Sequence, residues 1–210
     1  KKSLIPYLKN VKSDLLIIFY RNPELGKVKT RLAATVGDDR ALAIYFKLAS
    51  YTREVSLNTA CDRVVYYSDF IDTEDSWLNS HFKKRLQAGA SLGDRMKQAF
   101  SDSLAAGYER VCIIGTDCPE LTAQIINDAF TKLRSHEVVI GPAADGGYYL
   151  LGMKKLHADF FANKAWGTNS VAAKTIVDFE NLKLVYYQLP MLTDVDEEKD
   201  LPIQLKSLLD

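Results

Sequence analysis

Carboxylates suited to a metal ion and cations suited to phosphates both occur in this sequence, each next to an apolar run. Asp117 comes directly after the run 111–114 and its closing Gly115. A short run rich in β-branched residues and closed by glycine is typical of a strand buried on both faces. Because ligands bind beyond the carboxyl ends of the strands in open α/β sheets, Asp117 is predicted to be the centre of the site.

A structural role for Asp117 is an open alternative at this point. Asp117 and Glu120 have the spacing of a helix capping box, and residues 122–134 have the apolar spacing of a helix. From this stretch alone, a cap and a ligand are about equally well supported.

A second acidic pair, Asp194 and Asp196, lies near the end of the sequence. If this segment is extended, both side chains point the same way, because strand side chains alternate. Two carboxylates on one side suit Mg²⁺ or Mn²⁺. The alternative is that these acids favour the first turn of a final helix predicted over 197–209.

The cations gather in the loop that follows the buried run 15–19. This loop contains Gly26 and Thr30 together with Arg21, Lys27, Lys29 and Arg31. Glycine lets the backbone approach a ligand, and Arg and Lys neutralise phosphate charge, so the loop is predicted to bind phosphates. It is not a P-loop, because Val28 stands where a Ser or Thr would hold magnesium. A solvated basic loop is the alternative.

A glycine-rich turn, Gly89-Ala90-Ser91-Leu92-Gly93, matches the Gly-x-Ser-x-Gly pattern of a serine hydrolase. The residues before it are mostly charged rather than a long buried strand, and His136 and His157 lie on no evident loop. A hydrolase is therefore disfavoured. The remaining interpretations are that Ser91 caps a helix, or that the turn passes close to a ligand.

Asp145 and Gly146 stand between two β-like runs, which is a strong hairpin signal. Gly146 and Gly147 also leave the backbone open to a ligand. The segment is therefore predicted to be both a turn and part of a binding surface.

The elements that position these residues alternate between strands and helices. Strands are predicted over 15–19, 63–68, 84–87, 111–114, 138–140 and 183–188, and helices over 38–57, 73–82, 94–106, 122–134, 155–161, 168–180 and 197–209. This alternation indicates an α/β fold. At 210 residues, one domain over 1–210 is expected, with residues 1–13 as a polar lead-in.

Composition excludes several classes of function. The 27 Lys and Arg balance the 27 Asp and Glu, so no global field attracts nucleic acid. The three cysteines show no Cys-x-x-Cys spacing, which fits a reducing cytoplasm. No apolar run reaches the roughly 18 residues of a membrane span. The first residue is Lys1, so removal of an upstream segment stays open.

Five ordered segments together resemble a bacterial family of GT-A-like nucleotide-diphospho-sugar transferases, and are also similar to the 2-phospholactate guanylyltransferases. The segments are 21–32, 89–96, 115–121, 141–152 and 194–196. The resemblance implies a Rossmann-like GT-A fold with a mostly parallel mixed sheet and helices on both faces. Two positions depart from the family pattern: one aspartate stands in place of Asp-x-Asp at 115–117, and Glu197 stands where Thr is usual.

The resemblance also implies roles for the site residues. The loop with Arg21, Lys29 and Arg31 would hold the nucleotide, and the turn with Gly89, Leu92 and Gly93 would cover the base or ribose. Asp117 would be the metal aspartate, with Asp194 or Asp196 as a second metal ligand. Residues 141–149 would line the donor-sugar or acceptor pocket. For glycosyl transfer, Asp145 is a candidate base on the condition that its carboxylate is not engaged in the predicted turn.

The expected function is a Mg²⁺- or Mn²⁺-dependent transfer from a nucleotide-diphospho-sugar, in which cations and metal neutralise the leaving diphosphate. The first alternative is nucleotidyl transfer from a nucleoside triphosphate. A non-catalytic nucleotide binder is the second. The acceptor, base, sugar and oligomeric state stay open, since one fold hosts many chemistries.

Overall fold

A seven-stranded mixed sheet forms the centre of the computed structural model, which describes residues 12–207. Of the lead-in expected over 1–13, residues 1–11 lie outside the described residues. The spatial order is β3-β2-β1-β4-β6-β5-β7, and only β6 runs antiparallel to its neighbours. The strands are β1 Lys12–Tyr20, β2 Asp62–Tyr67, β3 Lys83–Leu86, β4 Tyr108–Ile114, β5 Val138–Pro142, β6 Tyr148–Met153 and β7 Tyr186–Gln188.

Helices cover both faces of this sheet. They are α1 Thr30–Val36, α2 Asp38–Leu57, α3 Leu92–Ala105, α4 Ala123–Lys132, α5 Val171–Asn181 and the short α6 Ile203–Lys206. One core cluster joins α2 and α4 to one face, and another joins α3 and α5 to the opposite face. The predicted α/β fold with a mostly parallel mixed sheet is therefore confirmed.

The central strands β1 and β4 are apolar on both sides because helices cover both sides. Leu16 and Ile18 pack in the α2–α4 core, whereas Leu15 and Ile17 pack in the α3–α5 core. Burial of each such side chain contributes about 1.5–3 kcal/mol. Parallel pairing aligns Ile18 of β1 with Ile114 of β4, so both strands end at the same edge.

The helix predicted over 73–82 is wrong. The carboxylate of Asp72 accepts from the backbone N–H of Glu74, and that of Asp75 accepts from the N–H of Trp77. These local bonds compete with helical ones. The segment forms a loop instead, and the side chains of its residues Trp77 and Phe82 are buried in the core.

Two more predicted helices are largely wrong. Residues 155–161 form only the 3-10 turn Ala158–Phe161. The predicted final helix over 197–209 is divided into the 3-10 turn Glu198–Asp200 and α6, with residues 208–210 outside the described range. Pro202 separates the two pieces, since it lacks the N–H that a continuous helix requires.

Within residues 12–207, no helix has both the length and the apolar character that crossing a membrane requires.

Candidate functional site

The loop after β1 and the turn after β4 meet at the carboxyl edge of the sheet. The Nζ of Lys29 lies 3.2 Å from Oδ2 of Asp117, although 88 residues separate them in sequence. Adjacent parallel strands explain this proximity, because β1 and β4 deliver their following loops to one place. The structure thus brings the predicted phosphate loop and the predicted central carboxylate into one site.

Lys29 holds an unusual position at the start of α1. Its φ of 49° and ψ of 44° place it in the left-handed region, which costs a non-glycine residue of order 1 kcal/mol or more. Its side chain is only 7% exposed, and its Nζ also lies 3.6 Å from Oδ1 of Asp196. Such backbone strain directs the ammonium group into the site rather than into solvent.

The late acidic segment passes directly beside Asp117. The N–H of Val195 donates to the backbone carbonyl of Asp117 at 2.9 Å, and the Val195 side chain is buried in a separate cluster with α1 and α2. Oδ2 of Asp196 accepts a hydrogen bond from Nη1 of Arg31 at 3.3 Å. The buried valine between Asp194 and Asp196 therefore places both carboxylates toward the sheet edge, as the alternation of an extended segment predicts.

The loop after β1, the turn after β4 and Asp196 line a polar cavity of about 280 Å³, here called the basic cavity. Its floor includes Tyr45 of α2, whose hydroxyl donates to the backbone carbonyl of Arg21 at 2.7 Å. The charged side chains that line it are those of Arg21, Lys29, Arg31, Asp117 and Asp196. The cavity thus has three cationic and two anionic side chains in its lining, in a chain with no net charge.

Asp194 is the least satisfied carboxylate of the site. Its Oδ1 is buried without a hydrogen-bond partner in the part of the chain that the structure describes. Burial, followed by the nearby charges of Asp117 and Asp145, raises the pKa of Asp194 well above its usual range, and Lys29 partly opposes this. Among the described residues, no three His, Cys, Asp or Glu side chains already form a cluster that could hold a metal ion.

A second cavity, of about 200 Å³, lies on the α3–α5 side of the same edge and is here called the apolar cavity. It shares Phe19 and Gly115 with the basic cavity. Its walls are mostly apolar and are formed by Phe19, Leu92, Met96, Tyr148, Trp166 and Val171. No sequence pattern predicted this cavity, because its walls come from separate segments of the chain.

Comparison with known proteins assigns the chain to a family. A family model described as "Uncharacterized protein conserved in bacteria (DUF2064)" matches residues 51–168. The chain belongs to this family. No curated protein matches the chain significantly.

The DUF2064 chain is also similar to several solved structures. A protein of Desulfovibrio desulfuricans G20, provisionally named a nucleotide-diphospho-sugar transferase, shares 32% identity with a TM-score of 0.82, covering 88% of this chain and 82% of that one. The inositol-1-phosphate CTP transferase of T. maritima shares 12% identity, with a TM-score of 0.58 and coverage of 93% and 94%. The 4-diphosphocytidyl-2C-methyl-D-erythritol synthase of Anaerococcus prevotii DSM 20548 shares 11% identity, with a TM-score of 0.59 and coverage of 94% of this chain and 95% of that one.

These relationships confirm the resemblance found in the sequence and the nucleotide-diphospho-sugar transferase type of fold. They also confirm that the protein is an enzyme of the transferase class. The two more distant structures share the fold alone.

Within the loop after β1, the predicted residues divide into two groups. Arg21, Lys29, Thr30 and Arg31 line the basic cavity. Lys27 instead lies on the surface, where it pairs with Glu24 at 2.6 Å, and the turn at Gly26 (φ +72°) lies outside the cavity lining. The presence of four cations in one loop therefore does not place all of them at the site.

The structural alternatives for the carboxylates are wrong. Thr122, not Asp117, caps α4, since its Oγ1 accepts from the N–H of Ile125 at 3.3 Å. Glu197 and Asp200 form the capping box of the 3-10 turn at 198–200. Glu197, which stands where Thr is usual in the family, is therefore the N-cap of this turn. Neither Asp194 nor Asp196 is the cap.

The glycine-rich segments also have defined places. The β5–β6 hairpin is confirmed, and Oδ1 of Asp145 accepts from the N–H of Gly147 at 2.8 Å. A Cβ on Gly146, whose φ is +88°, would lie 2.1 Å from the backbone oxygen of Asn169, so only glycine fits there. Asp145 and Gly147 line the apolar cavity.

Ser91 serves as the N-cap of α3. Its Oγ accepts from the N–H of Asp94 at 3.1 Å and donates to Oδ2 of the same residue at 2.8 Å. His136 precedes β5, at the amino end of that strand, and His157 stacks on Phe160. Ser91 therefore has the partners of a helix cap rather than those of a catalytic triad.

Leu92 lines the apolar cavity, and Gly93 lies behind it against the indole of Trp166. Gly89, with a φ of +143°, forms the turn before α3, and its carbonyl accepts from Nε of Arg95 at 3.3 Å. The glycine-rich turn therefore contributes to the apolar cavity through Leu92 and Gly93.

Proposed function

We propose that this protein transfers a glycosyl group from a nucleotide-diphospho-sugar, with the diphosphate bound in the basic cavity. The observation that carries the proposal is the buried Lys29 ammonium between Asp117 and Asp196, beside Arg21 and Arg31. This arrangement matches a metal-bridged diphosphate, in which cations and carboxylate-bound metal share the anionic charge. The 32% identical transferase supports the same substrate class.

The carboxylates fit a divalent cation. Asp194 has a buried oxygen without a partner, and its charged form is destabilised by Asp117 and Asp145, so a Mg²⁺ or Mn²⁺ ion would satisfy it. Asp117 and Asp194 would hold that ion. Asp196 faces Lys29 and Arg31, which supports a role in holding these cations beside the metal carboxylates. When bound, the metal would supply Lewis-acid neutralisation of the diphosphate.

In the proposed reaction, the bond between the anomeric carbon and the diphosphate oxygen breaks, and its electron pair leaves with the diphosphate. Lys29 and Arg31 stabilise that negative charge. The acceptor hydroxyl forms the new bond to the anomeric carbon. Asp145, which lines the neighbouring apolar cavity and is exposed, takes the hydroxyl proton as general base.

Nucleotidyl transfer is the second candidate, favoured by the three cations that line one cavity directly after β1. An acceptor phosphate would attack the α-phosphate of a nucleoside triphosphate, and pyrophosphate would leave. Product analysis separates the two candidates. Release of nucleoside diphosphate from a nucleotide sugar supports glycosyl transfer, whereas release of pyrophosphate from a triphosphate supports nucleotidyl transfer.

A thermal-shift panel of UDP- and GDP-sugars, CTP and GTP, with Mn²⁺ or with EDTA, tests ligand class and metal together. We expect a matching nucleotide at about 100 times its Kd to raise Tm by roughly 5–10 °C with Mn²⁺. Asp117→Asn should remove the Mn²⁺-dependent part, whereas Asp128→Asn, a change of an exposed aspartate on α4, should retain it. Equal shifts in EDTA and in the Asp117 variant would support the non-catalytic binder instead.

A further inference from the structure

The apolar cavity is large enough for a small ring. Its volume is about 200 Å³. An enclosed apolar cavity of about 150 Å³ holds one benzene molecule. The apolar cavity, which is open on the side of Leu92 and Thr168, therefore has room for one six-membered ring with a small substituent.

The walls of the cavity favour an apolar ring over a nucleobase. Most of the lining is carbon and sulfur surface, including that of Phe19 and Met96. Asp145 and Thr168 are the polar side chains of the lining other than the aromatic ones, and the hydroxyls of Tyr148 and Tyr149 already donate to Met96 and to the backbone carbonyl of Pro190. Bases and sugars carry several donors and acceptors, each of which costs free energy when it is buried without a partner. An apolar ring makes no such demand, and it gains free energy from every wall atom that it covers.

The place of the cavity indicates which substrate would carry that ring. The basic cavity holds the proposed phosphate site on the α2 side of the edge, and the apolar cavity opens on the α3–α5 side. The two meet at Phe19 and Gly115. Asp145 lines the apolar cavity, and its charge acts on Asp194 in the proposed metal site. A group that extends from the apolar cavity to the basic cavity therefore crosses at Phe19 and Gly115, with Asp145 in the lining of the apolar cavity.

Resting on the function proposed above, we propose that the acceptor is an alcohol with a single apolar ring, alicyclic or aromatic, and that the ring binds in the apolar cavity. The hydroxyl then points toward Asp145 and the sugar carbon of the donor. Trp166 lines the cavity and offers an aromatic surface against which the ring packs.

Gly93 is the residue that allows Trp166 to take this position. A Cβ at residue 93 would lie 2.8 Å from the indole of Trp166 and 2.7 Å from the backbone oxygen of Phe161. Any larger residue would force the indole to move. The glycine-rich turn therefore sets the wall of the acceptor site rather than supplying a nucleophile.

Intrinsic fluorescence of the whole protein tests this proposal, because the chain has two tryptophans. Trp77 is buried beneath the loop over 73–82, in the core of the opposite face, so it serves as an internal reference. Cyclohexanol is titrated as the probe, because it neither absorbs nor emits in the range of tryptophan fluorescence. We expect a saturable change in emission in the parent protein and no change in Trp166→Phe, in which Trp77 alone emits.

A matched pair of variants checks that the ring enters this cavity. Leu92 lines the cavity and Leu86 lies on β3, and the two residues are equally exposed at 46%. Leu92→Phe should fill the cavity and weaken cyclohexanol binding by about tenfold, as overfilling a packed site does. Leu86→Phe should leave the affinity within about twofold of the parent protein, which also serves as a control for folding.

Competition between cyclohexanol and nucleotides or nucleosides then shows which of them occupies the apolar cavity. Cyclohexanol that still binds in the presence of UDP and Mn²⁺ supports an acceptor ring. Displacement of cyclohexanol by uridine or cytidine, or the absence of saturable binding, would overturn the proposal. Failure of the proposed function has a different outcome, in which no nucleotide shifts Tm although cyclohexanol still binds.

Discussion

Lys84 and Lys29 are both buried lysines that pair with an aspartate, but their surroundings differ. Lys84 on β3 donates to Asp75 at 2.7 Å and to the backbone carbonyl of Asp72 at 2.7 Å, and the Tyr67 hydroxyl donates to the same Asp75 carboxylate. The side chains of Lys84 and Asp75 are 6% and 13% exposed. At the site, Lys29 is 7% exposed, but its partner Asp117 is 41% exposed.

The difference separates a structural ion pair from one that can exchange partners. Each side of the Lys84–Asp75 pair has further hydrogen bonds, so the pair anchors the loop over 73–82 to the sheet. The Lys29–Asp117 pair opens onto a cavity and lies near Asp194, whose buried oxygen has no partner among the described residues. We therefore expect that a ligand can replace Asp117 and Asp196 as partners of Lys29 while the protein stays folded.

The largest effect is expected when the closed pair is broken. Lys84→Met should lower the free energy of unfolding by about 3–5 kcal/mol, because it leaves the buried Asp75 carboxylate without its cation. Urea denaturation measures this. Lys84→Arg keeps the charge and should lose less. A loss below about 1 kcal/mol for Lys84→Met would show that the pair is not structural.

Breaking the open pair should affect function instead. Lys29→Met should lower kcat/KM about 100- to 1000-fold, since it removes a preorganised donor to the leaving phosphate. The free energy of unfolding should change by about 1 kcal/mol or less, because Asp117 and Asp196 are partly solvated. Steady-state kinetics and urea denaturation on the same preparation measure both. A stability loss like that of Lys84→Met would remove the contrast between the two pairs.

Asp194→Asn should have the unusual effect of stabilising the metal-free protein, by about 1 kcal/mol. The substitution replaces a buried carboxylate, whose pKa is raised by burial and by Asp117, with a neutral amide. Thermal unfolding in EDTA and in Mn²⁺ measures this, and the Mn²⁺-dependent rise should disappear. Asp14→Asn is the matched control and should destabilise, because Asp14 is paired with Arg110. Destabilisation by Asp194→Asn in EDTA would argue against an unsatisfied carboxylate.

The smallest effect is expected on nucleotide binding, when two cations of the loop after β1 are replaced in turn. Arg31 lines the basic cavity, whereas Lys27 pairs with Glu24 on the surface. Arg31→Gln should weaken nucleotide binding about fivefold, a modest loss because the side chain is partly exposed. Lys27→Gln should change it by less than about twofold. Isothermal titration calorimetry measures both, and equal losses would mean that the loop acts only through its overall charge.

Strong periodicity made parts of the fold predictable. The helix predicted over 38–57 is observed as α2 with the same bounds, and the runs ending at Phe19 and Ile114 are central strands. These segments combine a long repeat or a continuous apolar run with clear ends. The segment 73–82, also predicted as a helix, has only three apolar residues, and the side chains of Asp72 and Asp75 form local bonds that no repeat reveals.

The candidate site was only partly predictable, for a related reason. Asp117, Lys29 and Asp196 were predicted because each follows a recognisable element or motif, and the structure brings them together. The place of Lys27 outside the cavity was not predictable, because four cations in one loop look alike in sequence. The apolar cavity left no signal beyond Trp166 beside a glycine.

The sequence by itself determined the type of fold and the chemistry that the site could use, because the apolar periodicity, the glycines and the types of charged residues are local properties. Only the tertiary structure decided which charges meet. The parallel pairing of β1 with β4 brings Lys29 to Asp117, and the buried Val195 brings Asp194 and Asp196 beside them. Long-range strand pairing and side-chain burial depend on the whole chain at once, so no single stretch contains them.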